Sequence, residues 1–160
     1  MDSVGQKLVK HWKKFGLPLA PGCPEDKLAT FEKRTGVVLP ADMRTYFTVV
    51  DGMRSEWPGD HDPQGFSFWG LGRLSWLPEE FAEKSPQGVG FPGFEDFYAF
   101  ADYLNWSWAY AIRLLAISER NQVILVGKDT PELVAESFSE FVDLYLVDSP
   151  SLYQAPPLTQ

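Results

Sequence analysis

Asp60, His61 and Asp62 stand in a row, and a histidine between two carboxylates could serve as a metal site or as a base with an orienting acid. Three adjacent side chains do not converge readily on one ion, however, and His11 is the only other histidine, so a polar loop is expected here. His11 itself lies beside Trp12 on a helical stretch, where packing or solvation accounts for it. Cys23, the sole cysteine, lies between Gly22 and Pro24 with no histidine nearby to draw off its proton. It can form no internal disulfide, and a partly buried, unreactive thiol is expected. "GVGFPG" at 88–93 matches G-x-G-x-x-G in form. A phosphate-binding turn must follow a strand and open a helix. Here "EKSPQ" precedes it, Pro92 interrupts it and an aromatic, strand-like run follows. Candidate acid–base groups are Asp51, Glu56, Glu79, Glu80, Glu95, Asp96 and Asp102. Such chemistry needs one carboxylate desolvated close to another. A chain with 22 acids offers coincidental pairs, and no constellation stands out. The expectation is a non-catalytic protein with no metal and no cofactor.

The tryptophans carry a different kind of chemistry. Trp57, Trp69, Trp76, Trp106 and Trp108 are dense for one small domain, and core packing explains most of them. Aromatic anchors ringed by acids are also what protein interfaces are made of. Trp57 lies in a loop, so it is the tryptophan expected at a contact surface. The 14 basic and 22 acidic side chains leave a net charge of −8. That balance argues against binding nucleic acid, which requires neutralising phosphates. It favours fast encounter with a basic partner. The amino terminus has no uninterrupted apolar run and nothing reaches the ~20 apolar residues of a membrane span. With a single cysteine, a cytoplasmic protein that makes no membrane contact is expected.

The elements that position these groups follow from spacing. Val4, Leu8, Trp12 and Phe15 mark one stripe of a first helix, with Lys7, Lys10, Lys13 and Lys14 mostly opposite. Pro24, Glu25 and Asp26 open a second helix that carries Leu28 and Phe31 inward and ends at Gly36. Pro40 opens a third, whose stripe is Met43, Tyr46, Phe47 and Val50 and which Gly52 closes. A loop is expected over 57–65, a short strand at "FSFWG" (66–70), and irregular chain over 78–93. Trp106, Trp108, Tyr110, Ile112 and Leu114 alternate with smaller or polar residues, which predicts a half-buried strand. "QVILVG" (122–127) is a second strand expected to pair back antiparallel. Ser137 and Glu140 form a capping box ahead of a last helix with Phe138, Phe141, Val142 and Tyr145 inward.

"FEKRTGVVLPADMRTYFTVVDG", with the later "FYAFADY" and "SFSEFVDLYL", resembles the SUKH superfamily, also called the SMI/KNR family. Phe31, Glu32, Gly36, Leu39, Pro40, Asp42, Arg44, Tyr46, Phe47, Asp51 and Gly52 fit its long signature in order. Phe100, Ala101 and Asp102 fit a second element, and Ser137, Phe138 and Phe141 a third. Residues 77–93 fit nothing in it. The resemblance implies a single SUKH-like α+β domain over 1–147, and a proline-rich tail over 148–160 follows that is expected to be mobile or to lie along the surface. Helices followed by strands and a last helix predict an antiparallel or mixed sheet of about five or six strands covered by about four helices. The resemblance also implies a non-catalytic role, since many bacterial members look like immunity proteins that neutralise polymorphic toxins, often nucleases, and fungal relatives regulate cell-wall synthesis. The partner expected here is a cognate basic toxin of nuclease type, bound by a monomeric inhibitor. Its expected contacts are Glu56, Trp57, Asp60 and Asp62, with Glu79, Glu80 and Glu83 as a second group. The alternatives are a regulatory adaptor of the same fold, or a small hydrolase using Asp60, His61 and Asp62.

Overall fold

The computed structural model describes residues 1–54, 61–84 and 90–159. Helix α1 (Val4–Lys14) begins with a capping box: the Ser3 hydroxyl accepts from the Gln6 N–H at 3.2 Å, and the Gln6 side chain accepts from the Ser3 N–H at 2.8 Å. Leu8 and Trp12 are fully buried, but Phe15 is 45% exposed. The helix stops at Lys14, so Phe15 leaves the helical phase that would have turned it inward. After β1 (Leu19–Pro21) come α2 (Glu25–Thr35) and α3 (Ala41–Val49). Pro24 and Pro40 precede α2 and α3, and Gly36 closes α2 at φ +77° with its N–H donating to the Glu32 carbonyl. Met43, Tyr46 and Phe47 are buried as their spacing predicts. Val50 is also buried, but it already belongs to β2 (Val50–Met53), which pairs antiparallel with β1. Asp51-Gly52 therefore continues into a strand instead of simply ending the helix. Gly52 sits at φ +77°, and a Cβ there would lie 2.6 Å from the backbone of Trp69 and Gly70, so two chain segments cross at that point.

Among the described residues the main sheet has six strands. They are β3 (Phe66–Phe68), β4 (Ser75–Trp76), β5 (Phe97–Tyr103), β6 (Trp108–Arg113), β7 (Val123–Val126) and β8 (Glu132–Ala135). Their order is β3-β5-β6-β7-β8, with β4 also pairing β5, and every pairing is antiparallel. Single 3₁₀ turns fill Leu71–Arg73, Phe94–Asp96 and Pro150–Leu152, and the helices are completed by α4 (Leu77–Lys84) and α5 (Phe138–Leu146). The fold is α+β, an antiparallel sheet covered by helices, with five helices among the described residues where about four were expected. Three local expectations are corrected. Irregular chain was expected from residue 78, and 77–84 is instead helical. The alternating strand starts at Trp108, because Leu104, Asn105 and Trp106 take φ of 46°, 54° and 64° and make the hairpin turn. β6 is not half-buried: both of its faces are covered.

On the first face Phe100, Tyr110, Ile112, Val123 and Leu125 pack against Leu8, Trp12, Leu28, Phe47, Phe138, Phe141 and Tyr145. On the second, Ala99, Ala109, Ala111, Ile124 and Val126 pack against Trp69, Leu77 and Phe81. Small residues on this side let α4 and the Trp69 ring approach the sheet closely. The carboxyl-terminal segment is tied down along β8: Leu152 is fully buried, Tyr110 Oη donates to its carbonyl, and Leu133 N donates to Pro156 O at 2.7 Å. No helix among the described residues is long and apolar enough to cross a membrane.

Candidate partner-binding surface

The seven expected contact residues fall into three groups. Glu56, Trp57 and Asp60 lie outside the described residues. Asp62 and Glu80 are buried, at 1% and 6% exposure. Asp62 Oδ1 accepts from the Gln64 and Phe66 N–H groups at 2.9 and 2.8 Å, while Oδ2 accepts from the Tyr145 hydroxyl. Tyr145 Oη in turn accepts from Trp12 Nε1 at 2.9 Å. Asp62 thus closes a polar chain that joins the start of β3 to α1 and α5. Glu80 Oε2 accepts from Trp106 Nε1 at 2.7 Å and fastens α4 to the β5–β6 hairpin. Both carboxylates are committed to the fold, so the expectation that they touch a partner is corrected. A buried carboxylate that accepts hydrogen bonds within the fold is too costly to withdraw for an external contact.

Glu79 and Glu83 make the third group, and both are exposed. The phase of α4 decides this. Leu77, Glu80 and Phe81 face inward at helical spacing, which leaves 79 and 83, one turn apart, on the outer side. Neither carboxylate has an ion-pair partner among the described residues. Just ahead of this helix stands Trp76, 38% exposed, its indole N–H donating to the Glu95 carbonyl at 2.7 Å. Trp76 and Glu79 line a groove of about 320 Å³ together with Arg34, Thr35, Leu74 and Tyr98. Trp76 was not among the expected contacts. With the chain around 78–93 taken as irregular, nothing in the sequence placed it against Glu79.

The acids of the first two signature elements are structural as well. Glu32 accepts from the Leu39 N–H at 2.7 Å and from Arg44. Asp42 Oδ2 accepts from both the N–H and hydroxyl of Ser139 at 2.8 Å, joining α3 to α5. Asp51 accepts from the Leu71 N–H at 2.7 Å. Asp102 accepts from Trp69 Nε1 at 2.7 Å, and Arg73, stacked 3.9 Å from the Trp69 ring, lies 3.6 Å from the same carboxylate.

The chemistry-bearing candidates are dispersed. No group of three or more His, Cys, Asp or Glu among the described residues could hold a metal ion. His61 Nδ1 lies 2.7 Å from the Asp62 carbonyl, not its carboxylate. Cys23 is buried, and burial first, then its hydrogen bond to Asp51, pushes the thiol up to about 12, which keeps it protonated at neutral pH. Burial lowers the pKa of His11, against an opposing pull from Asp62. Its ring meets Phe15 and Tyr145 edge-on at 5.2 and 5.3 Å, and its Nε2 has no hydrogen-bond partner among the described residues. Of 88–93, residues 90–93 are described. They lead through Gly93 into the 3₁₀ turn and β5, not into the helix a phosphate site requires.

A family model described as SMI1 / KNR4 family (SUKH-1) matches residues 22–144, a span that runs from just before α2 into α5. No curated protein matches the chain.

Proposed function

We propose that this chain, which belongs to the SMI1 / KNR4 family (SUKH-1), is a non-catalytic binding domain that neutralises a cognate protein toxin by forming a one-to-one complex in the cytoplasm. The toxin presents a basic surface, as a nuclease must in order to hold its substrate. The observation that carries this reading is the outer side of α4. Glu79 and Glu83 stand exposed there without ion-pair partners among the described residues, while Glu80 between them anchors the helix. The same division runs through the molecule: Glu32, Asp42, Asp62 and Asp102 are tied into hydrogen bonds within the fold, whereas Glu79 and Glu83 give α4 an acidic outer surface. Such a surface raises the rate of encounter with a cationic protein, and a desolvated centre within it supplies tightness.

The test is co-expression with the product of the neighbouring open reading frame. The expected result is rescue of growth and a salt-sensitive one-to-one complex. Several weak partners and no rescue would instead indicate a regulatory adaptor. Turnover of an ester or phosphodiester that is lost on changing His61 to alanine would overturn the non-catalytic reading.

A further inference from the structure

Trp76 is the most exposed of the five described tryptophans, yet its ring is held in place. Its backbone pairs with Tyr98 in the β4–β5 register, and its indole N–H is tied to the Glu95 carbonyl. Fixing a large side chain normally costs conformational entropy on binding, and here the fold has already done so. Beside the ring lies the groove that Trp76 lines together with Leu74, Tyr98, Glu79 and Arg34. Glu95, on the turn under the indole, is exposed, and Glu83 follows one turn beyond Glu79. The carboxylates on the Trp76 side have no ion-pair partner among the described residues. Arg34 is drawn over the Phe31 ring, 5.4 Å from its centroid.

We propose that Trp76 is the anchor for an arginine of the bound protein, stacked on the indole with its guanidinium fork on the Glu79 carboxylate. This rests on the reading of the α4 side as the contact surface for a basic protein. Tryptophan is the ring that best attracts a cation, and the planar guanidinium can stack and donate in two directions at once, which an ammonium cannot. Arg34, which lines the same groove, repels a second cation while accommodating a carbonyl or carboxylate of the same segment.

Two measurements on the full chain test this. In ¹H–¹⁵N spectra, the Trp76 indole signal, assigned by its loss in Trp76→Phe, is followed during titration with a blocked peptide of alternating glycine and arginine. A peptide with citrulline replacing arginine is the control. The Trp76 signal shifts saturably with the arginine peptide only, and Glu79→Gln weakens the effect about tenfold. No shift, an equal shift with citrulline, or indifference to Glu79→Gln overturns the proposal. In the second measurement, Trp76→Ala, checked for folding by thermal melt, weakens the complex with the toxin by at least about tenfold, and Trp76→Phe weakens it less. A toxin bound equally well by folded Trp76→Ala removes the anchor and leaves the proposed function standing. A chain that binds no toxin removes that function, and the peptide titration still decides what Trp76 recognises.

Discussion

The two faces of the six-stranded sheet are built differently. The first is closed by ring-on-ring packing: Phe68 lies 4.8 Å from Tyr145 and 5.2 Å from Trp12, and Phe100 lies 5.2 Å from Phe141. Its helices α1, α2, α3 and α5 all direct core side chains into it, and one polar chain from Trp12 through Tyr145 to Asp62 runs through it. The second face has alanines at its centre and, among the described residues, a single helix, α4, whose Leu77 and Phe81 pack on the sheet and whose Glu80 accepts from Trp106. Where hydrocarbon fills the space, a helix is fixed by volume. α4 is fixed partly in this way, by Leu77 and by Phe81, whose ring lies 6.0 Å from Phe94, and partly by a polar clamp one residue wide, and its outer side is left to acids. The first face is therefore scaffold, and the proposed contact lies along the outer side of α4.

Breaking the scaffold has the largest expected effect. Phe47 is fully buried, and Phe47→Ala costs about 3–5 kcal/mol through cavity formation, measured by urea unfolding. A loss below about 1 kcal/mol would mean that this face is not closed by packing. Asp62→Ala comes next. It strands a buried tyrosine hydroxyl and two backbone donors, with an expected cost of about 2–3 kcal/mol and an unchanged affinity for the partner. A weakened complex with unaltered stability would return Asp62 to the contact surface.

Glu80→Leu sharpens the comparison from the other side. Losing the clamp lowers stability by about 1–2 kcal/mol and moves the Trp106 indole signal, while the first-face signals stay in place. Global signal changes would show the two faces to be one unit. Acid acts on the first face through His11. Because burial depresses its pKa, the unfolded chain takes up a proton that the folded chain resists. The contribution of neutral His11 is complete above the ordinary histidine value of about 6.5 and is lost as the pH falls through the folded value. Asp62 and Lys14 are the charged groups acting on it, in opposite directions. His11→Phe flattens that part of the pH–stability curve, and an unchanged curve would place the sensitivity elsewhere.

What could be read from the sequence divides along the same line. Met43, Tyr46 and Phe47, or Phe138, Phe141 and Val142, repeat at helical spacing because one buried stripe must face one core, so the helices and sheet of the first face were legible. The alternation from Trp106 was misleading at its start: Trp106 sits at φ +64°, held by bonds to Asp102 and Glu80 that no periodicity encodes. α4 was missed because its inward stripe contains a glutamate, and a carboxylate at a core position reads as solvent-facing until its tryptophan partner is known. Asp62 was misjudged for the same reason. Glu79 and Glu83 were expected as contacts, but only the phase of α4 shows how they differ from Glu80.

The smallest expected effect on stability is the most informative about binding. Glu79→Gln with Glu83→Gln changes stability by no more than about 0.5 kcal/mol, because both side chains are exposed and unpaired among the described residues. Calorimetric titration of this double variant and of the parent chain against the protein encoded beside it, at low and high salt, tests the central claim most directly. A one-to-one complex should form with the parent chain, and the double variant should lose at least about tenfold in affinity together with much of the salt dependence. Equal affinity and an equal salt slope for both chains would contradict it and move the contact off α4.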